Sequence, residues 1–480
     1  MALTHVPVAP LPPERFRELL GDRYRELEEV IQRGREVFAG RAVWHVNSTA
    51  RGGGVAELLQ SLLAYARGAE VDTRWVVVEG NPEFFHITKR IHNHLHGSEG
   101  DGGPLDQAEH AVYEETLRDN AAGLAEIVTP ADIVFLHDPQ TAGLVDPVRE
   151  TGATVVWRCH VGLDLPNDLA RGAWDFLRGY VDGAHAYVFS RKEFVWEGLD
   201  REKVWIVAPS IDAFSPKNQE LDEECVRAIL GVAGIRDQGD PRKATFTRED
   251  GTPGRVDRVA EMFQDEPVPD DAPLITQVSR WDRLKDPMGV LRGFVENVDT
   301  PDVRLLLAGP SVAAVSDDPE GAEVLAEVDR YRQELDPAVR RRVHLATLPM
   351  DDVQENAAIV NAIQRRSEIV VQKSLAEGFG LTVAEAMWKS RPVVATKKGG
   401  IQDQIVDGES GILLDDPLDL QAMGTALARV LDDGEYAARL GAAARQRVED
   451  QFLGTRSLIQ YEQARRPPEA RGRRRLTREH

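Results

Sequence analysis

Cysteine is scarce: Cys159 and Cys225 are the only thiols among 480 residues. Two thiols far apart build no disulfide framework, so a reducing cytoplasm is the expected compartment. Positive charge is in deficit, with 58 Lys and Arg against 80 Asp and Glu for a formal net charge of -22. That balance repels nucleic acid and anionic lipid, so neither is an expected partner, and a phosphate ligand would need local basic groups. No apolar run approaches the roughly 20 residues of a membrane helix. The opening MALTHVPVAPLPPERF lacks the basic segment and apolar stretch of a secretory signal, so a soluble, unprocessed chain is expected. There is no repeat of solenoid period. No convincing G-x-G-x-x-G follows a first strand, which disfavours a nicotinamide dehydrogenase.

What is present reads as a globular enzyme, 42% hydrophobic and 29% charged, long enough for two or three domains. A leader and helix occupy 1–35, where Phe16, Leu20, Tyr24, Leu27 and Ile31 recur near helical spacing. Short runs rich in Val, Ile and Trp follow: RAVWHV, TRWVVVE, DIVFLH, TVVWRCH, HAYVFS and VWIVA. Alternating with helical segments, they predict a Rossmann-like α/β domain over 36–210. Residues 211–273 read as a linker with a charged insertion, its turn-rich DQGDPRKATFTREDGTPGR exposed. PLITQVS, VRLLLAG, RVHLATL, EIVVQKS, PVVAT and GILLDD predict a second Rossmann-like domain over 274–440. Helices over 441–464 and a disordered basic tail over 465–480 complete the reading.

Open α/β sheets bind ligands beyond the carboxyl ends of their strands, so side chains just after each run are the candidates. Gly52, Gly53 and Gly54 lie between a strand and a helix, where backbone N–H groups can approach a phosphate. A plain tight turn explains them equally well. Arg280 and Lys285 follow PLITQVS and could neutralise a diphosphate, although Asp282 and Asp286 could pair with them on a solvated loop. In SLAEGFGLTVAEAMW, Glu377 precedes the Gly378-Phe379-Gly380 loop and Glu385 lies about one turn into the next helix. Glycosidases also carry two carboxylates, about 5 to 10 Å apart. Here the intervening backbone of Phe379, Gly380, Leu381 and Thr382 opens a helix suited to an anion, which points to a sugar-nucleotide clamp. His160 follows TVVWRC, either facing a sugar or serving structure, and Arg158 and Asp164 near it are candidate acceptor contacts. His92 and His96 stand at i, i+4 without a completing metal ligand, so no metal is expected there, though His92 could line an acceptor site.

SLAEGFGLTVAEAMW resembles the E-x7-E signature of retaining glycosyltransferases of family four. VNSTARGGGVAELLQSLL, TRWVVVEGNPEFFHITKRIHNHLHG, WRCHVGLDLPN and TQVSRWDRLKD extend that resemblance, in order, to the trehalose glycosyltransferring synthases and related retaining trehalose phosphorylases. The resemblance implies a GT-B fold, two Rossmann-like domains facing across a cleft, with the C-terminal helix packing back on the first. It implies transfer of glucose from ADP-, UDP- or GDP-glucose to free glucose, giving α,α-trehalose, with no cofactor or metal. The implied partners are these small molecules, and a homodimer is left open. Carried over by motif, Arg280, Lys285 and the Gly52–Gly54 loop would bind the diphosphate and Glu385 the ribose. Glu377 and the Phe379–Leu381 backbone would hold the glucose, with His160 beside the anomeric centre. A phosphorylase using phosphate and a non-catalytic sugar-nucleotide sensor are the alternatives. Asp286 stands where many relatives have glycine, and facing inward it would weaken phosphate binding.

Overall fold

The computed structural model describes residues 3–50, 54–237, 239–312, 320–456 and 459, and the chain divides into two compact units. One comprises residues up to Ser210 and resumes at Gly454; the other runs from Ile211 to Leu453.

The first unit is built on seven strands: β1 (Leu3–Val6), β2 (Val43–Asn47), β3 (Thr73–Val78), β4 (Ile133–His137), β5 (Thr154–Cys159), β6 (Ala186–Phe189) and β7 (Val204–Ile206). Their order is β1-β3-β2-β4-β5-β6-β7, parallel except for the antiparallel edge strand β1. β2 and β4 are buried at every position, as strands covered on both faces must be. The connecting helices start on side-chain caps: Asn81 accepts from the Phe84 N–H, Asp106 from Ala108 and Asn167 from Ala170. Trp44, Val46, Val134, Leu136, Trp157 and Cys159 supply one core, and Val43, Ile133, Phe135 and Val156 the opposite one. The alternation is the two-residue period of a strand with two buried faces.

In the second unit a hairpin of β8 (Thr245–Thr247) and β9 (Pro253–Arg255) precedes β10 (Glu261–Phe263), β11 (Leu274–Val278), β12 (Arg304–Pro310), β13 (Val343–Leu348), β14 (Ile369–Gln372), β15 (Val393–Thr396) and β16 (Ile412–Leu414). The sheet order is β10-β13-β12-β11-β14-β15-β16, again parallel with one antiparallel edge, β10. Strand order reverses between β2 and β4 in one sheet and between β11 and β14 in the other. Those reversals leave the crevices in which doubly wound sheets bind ligands.

Residues 211–273, expected as a linker with an exposed insertion, belong to the second unit, and most of the described residues of 237–255 are exposed as expected. The helix Glu223–Val232 packs its Val226, Ile229 and Leu230 with Ile359 and Ile363, and β10 extends the sheet. The charges that made the stretch look solvated have partners: Arg248 Nη2 donates to Asp352 at 2.6 Å, and buried Glu355 Oε1 accepts the Asp257 and Arg258 N–H groups at 2.6 Å each. The leader was likewise misread, since Leu3–Val6 is the edge strand β1. Near the other end the helix Gly434–Gln451 belongs to the second unit, and residues from Gly454 group with the first. The 465–480 tail lies outside the described residues.

Candidate active site

At the carboxyl end of β11 the chain turns through Arg280 to Asp286. Asp282 caps the turn, accepting the Leu284 N–H at 2.7 Å, and its other oxygen takes Arg280 Nη2 at 3.1 Å. Gln277 Nε2 pins the Lys285 carbonyl at 2.9 Å. Lys285 Nζ thereby reaches Glu377 Oε2, beyond the end of β14, at 2.7 Å. Ser374 Oγ donates to the same oxygen at 3.1 Å. The two sequence candidates thus meet across the strand-order reversal. Asp286 does not face Lys285: it sits at φ +48° and its carboxylate pairs with buried Lys373 while capping Gly289 at 2.9 Å. The left-handed backbone explains why glycine suits the position, and the carboxylate that was expected to oppose a phosphate is engaged by Lys373.

The loop after Glu377 ends at Gly380, φ +81°, which opens the helix Leu381–Trp388 without a side-chain cap. The Val383 N–H donates to Gly380 O at 2.9 Å, and the Leu381 and Thr382 N–H groups before it have no acceptor within the helix. Behind it lies a support that sequence reasoning missed, the turn Lys397–Gly400 after β15. Gly400 N–H donates to Gly378 O at 2.9 Å, and Gln404 Nε2 to Phe379 O at 2.6 Å. A Cβ at Gly399 would lie 1.8 Å from Glu377 O, so only glycine permits this approach. Two consecutive glycines, two residues after the predicted strand PVVAT, were the available clue. Thr382 Oγ1 is turned onto Gln372 at 3.1 Å, leaving its backbone as the candidate contact. Glu385 is buried, with Lys217 Nζ 3.7 Å from Oε1. Lys389, one turn on, donates to Glu385 O at 3.1 Å and Asn218 Oδ1 at 3.0 Å, and burial pushes its ammonium down to about 7 against the pull of Glu385.

In the first unit His160 follows β5, and the structure surrounds it with two histidines the sequence reading passed over. His45 on β2 and His137 at the end of β4 are both buried. His45 Nδ1 lies 3.0 Å from His137 Nε2, and His137 Nδ1 lies 3.0 Å from His160 Nε2. Each runs as a single imidazole near the end of an apolar run, VWHVN, IVFLH and VVWRCH, and that recurrence was the visible sign. Burial, helped by the Arg158 charge, pushes His45 down to about 3. Burial first also holds His137 and His160 well below the ordinary value. Asp138, at φ +64°, accepts the His160 N–H at 2.7 Å, and burial pushes its carboxyl up to about 7.

Arg158, expected among the acceptor contacts, is corrected: it is wholly buried, and Nη2 donates to Val207 O at 3.2 Å. The strand period puts it on the same face as His160 but deeper. Asp164 pairs with Arg191. His92 is half-buried, its ring 4.9 Å from that of His96. The helix carrying it ends beside the loop after His160, where Asn167 Nδ2 donates to Gly97 O at 2.9 Å. Gly54 is exposed at the start of the helix Gly54–Gly68; Gly52 and Gly53 lie outside the described residues. Among the described residues no group of three His, Cys, Asp or Glu could hold a metal ion, and no helix is long and apolar enough to cross a membrane.

Residues 45–196 match the family described as "Trehalose synthase, N-terminal domain", and residues 259–447 match "Glycosyl transferases group 1". A trehalose synthase of Thermococcus litoralis is 36% identical over 451 residues, which is 93% of this chain and 95% of the relative. A trehalose phosphorylase of Pleurotus pulmonarius is 26% identical over 441 residues, 85% of this chain but 54% of the fungal protein. The solved UDP-forming α,α-trehalose-phosphate synthase of Burkholderia vietnamiensis superposes with a TM-score of 0.64 at 14% identity, over 88% of this chain and 97% of that one. At that identity the likeness is one of fold, GT-B. The chain belongs to the trehalose synthase family of group 1 glycosyltransferases.

Proposed function

We propose that this hexosyltransferase moves glucose, with retention at the anomeric carbon, from a nucleoside diphosphate-glucose to free glucose, releasing nucleoside diphosphate and α,α-trehalose. Identity of 36% over nearly all of the chain and of a trehalose synthase carries this reading. The Lys285–Glu377 contact of 2.7 Å at the strand-order reversal supports it locally. The more distant phosphorylase matches only half its own length and favours no second reading.

The donor diphosphate takes Lys285 and Arg280 as counter-charges, with the N-terminus of the helix Leu381–Trp388 adding N–H groups. Glu377 accepts hydrogen bonds from donor glucose hydroxyls, and Glu385 those of the ribose, with Lys217 giving way. His160 lies beside the anomeric carbon, and Asp164 and His92 line the acceptor side. The bond from that carbon to the phosphate oxygen breaks as the bond to the acceptor oxygen forms on the same face. The departing phosphate oxygen takes the acceptor hydroxyl proton, so no protein nucleophile is required. Acceleration comes from placing two sugars and stabilising charge on the departing diphosphate. Neither a metal nor a cofactor is needed in this scheme, and the same contacts serve the reverse reaction.

The reading is tested by supplying trehalose with ADP, UDP, GDP or inorganic phosphate and measuring released glucose. Release with a nucleotide, accompanied by nucleoside diphosphate-glucose, is expected. Release with phosphate alone would replace this reading by phosphorolysis, and tight donor binding without turnover would make the chain a sensor.

A further inference from the structure

Three imidazoles, His45 in the middle of β2, His137 at the carboxyl end of β4 and His160 just beyond β5, form a closed hydrogen-bonding problem. Each nitrogen-to-nitrogen contact of 3.0 Å needs one proton, and each neutral ring carries one. Only two arrangements satisfy both contacts. In one, all three rings are protonated at Nδ1, so His45 donates to His137 and His137 to His160. In the other, all are protonated at Nε2 and the donation runs backward. A mixed arrangement leaves two lone pairs or two protons facing each other inside a buried site. Neighbouring parallel strands hold the rings in this row. His45 stacks on its cross-strand neighbour Phe135, centroids 4.8 Å apart and planes 4° apart. The rings of His137 and His160 lie within 17° of parallel with centroids 5.3 Å apart, edge to edge along their hydrogen bond. Asp138 fixes the backbone of His160. The outer nitrogens, His160 Nδ1 and His45 Nε2, have no hydrogen-bond partner among the described residues.

We propose that His45 and His137 are positioning residues that lock His160 into one of two linked tautomers, so that its Nδ1 presents either a donor or an acceptor to a sugar hydroxyl. The lock is cooperative: a change at His45 Nε2 reverses the character of His160 Nδ1, two strands away. A reaction run in both directions meets hydroxyl groups in both roles at this point, and the row supplies either without placing a charge in the site. The catalytic consequence rests on the sugar-transfer reading; the hydrogen-bond chain itself does not.

The test is 15N spectroscopy of histidine-labelled full-length protein, reading the tautomer of each ring. The wild type is expected to show His45, His137 and His160 neutral and sharing one tautomer. Opposite tautomers within the row, or an imidazolium in it near neutral pH, would overturn the proposal without any variant. His45→Phe keeps the stack on Phe135 but removes the hydrogen bond, so the His160 signals should shift or split. The trehalose-forming kcat should fall roughly 10- to 100-fold with donor KM nearly unchanged. His45→Asn, whose amide can occupy the place of Nδ1, should restore much of that loss. A folded His45→Phe protein with unaltered His160 signals and unaltered kcat would refute the coupling. Intact coupling in a wild type that turns over no sugar would instead count against the transferase reading alone.

Discussion

Lys285 and Glu377 neutralise each other at 2.7 Å while only 17% and 9% exposed, so each is prepared to exchange its partner for a ligand group. Lys285→Ala should lower kcat roughly 10²- to 10³-fold, the range for removing one donor from a developing oxyanion. The fold should survive, because Ser374 still serves Glu377; an unfolded variant by circular dichroism would contradict the role. Asp286 behaves differently. Replacing it by Ala strands the buried Lys373 ammonium and removes the cap of the helix Pro287–Asn297. A loss of about 3 kcal/mol in urea unfolding is expected, with activity retained per folded molecule. The imidazole row predicts a pH dependence of known sign. Its folded-state values lie below the ordinary 6.5, so the unfolded chain takes up more protons as pH falls through that value. Stability present above pH 6.5 is then lost toward lower pH, by up to about 1.4 kcal/mol per pH unit for each ring. Asp138, raised from 3.8 to about 7, works in the opposite sense between those values, one group against three. Urea midpoints at pH 7 and pH 5 should therefore fall with pH, and His45→Phe should shrink the difference.

Among the elements, the loops after β11, β14 and β15 form the second unit's candidate site, and the third was invisible to a reading that looked for charged side chains. Lys285 and Glu377 could be found because each lies in the loop that follows an apolar strand run, Lys285 among the charges of DRLKD and Glu377 just before the Gly378-Phe379-Gly380 loop. Gly399 offers no side chain at all, and its contribution is the space it leaves beside Glu377 O. Gly399→Ala should force the Glu377 loop away, lowering kcat with a stability cost of about 1 to 3 kcal/mol. A variant with wild-type kcat would show that the turn merely fills space. His45 and His137 escaped notice for another reason: each stands in a run of strongly apolar residues and reads as part of a strand, its partners belonging to other strands. Register across β2, β4 and β5 brings them together, and register is not written in any one segment. That the exposed insertion is tied into the second unit was not legible, because Arg248 and Arg258 pair with Asp352 and Glu355, about a hundred residues on.

At the scale of the molecule, the βα rhythm was legible because parallel strands buried on both faces have nearly continuous apolar runs. Two such series gave two Rossmann-like units, and each sheet closes on an antiparallel edge strand that the rhythm did not announce, β1 and β10. Short pieces such as LTHV and EMF carry too little pattern to be seen alone. Both units place their polar side chains where strand order reverses, the row of imidazoles at β2, β4 and β5 and the Lys285–Glu377 pair at β11 and β14. The proposed function assigns the acceptor sugar to the first unit and the activated donor to the second. The most direct test supplies nucleoside diphosphate-glucose labelled with 13C at the anomeric carbon together with unlabelled glucose, and reads the product by NMR. The expected product is α,α-trehalose carrying the label on one anomeric carbon with the donor's α configuration kept. A β-linked product, or release of labelled glucose without transfer, would contradict it.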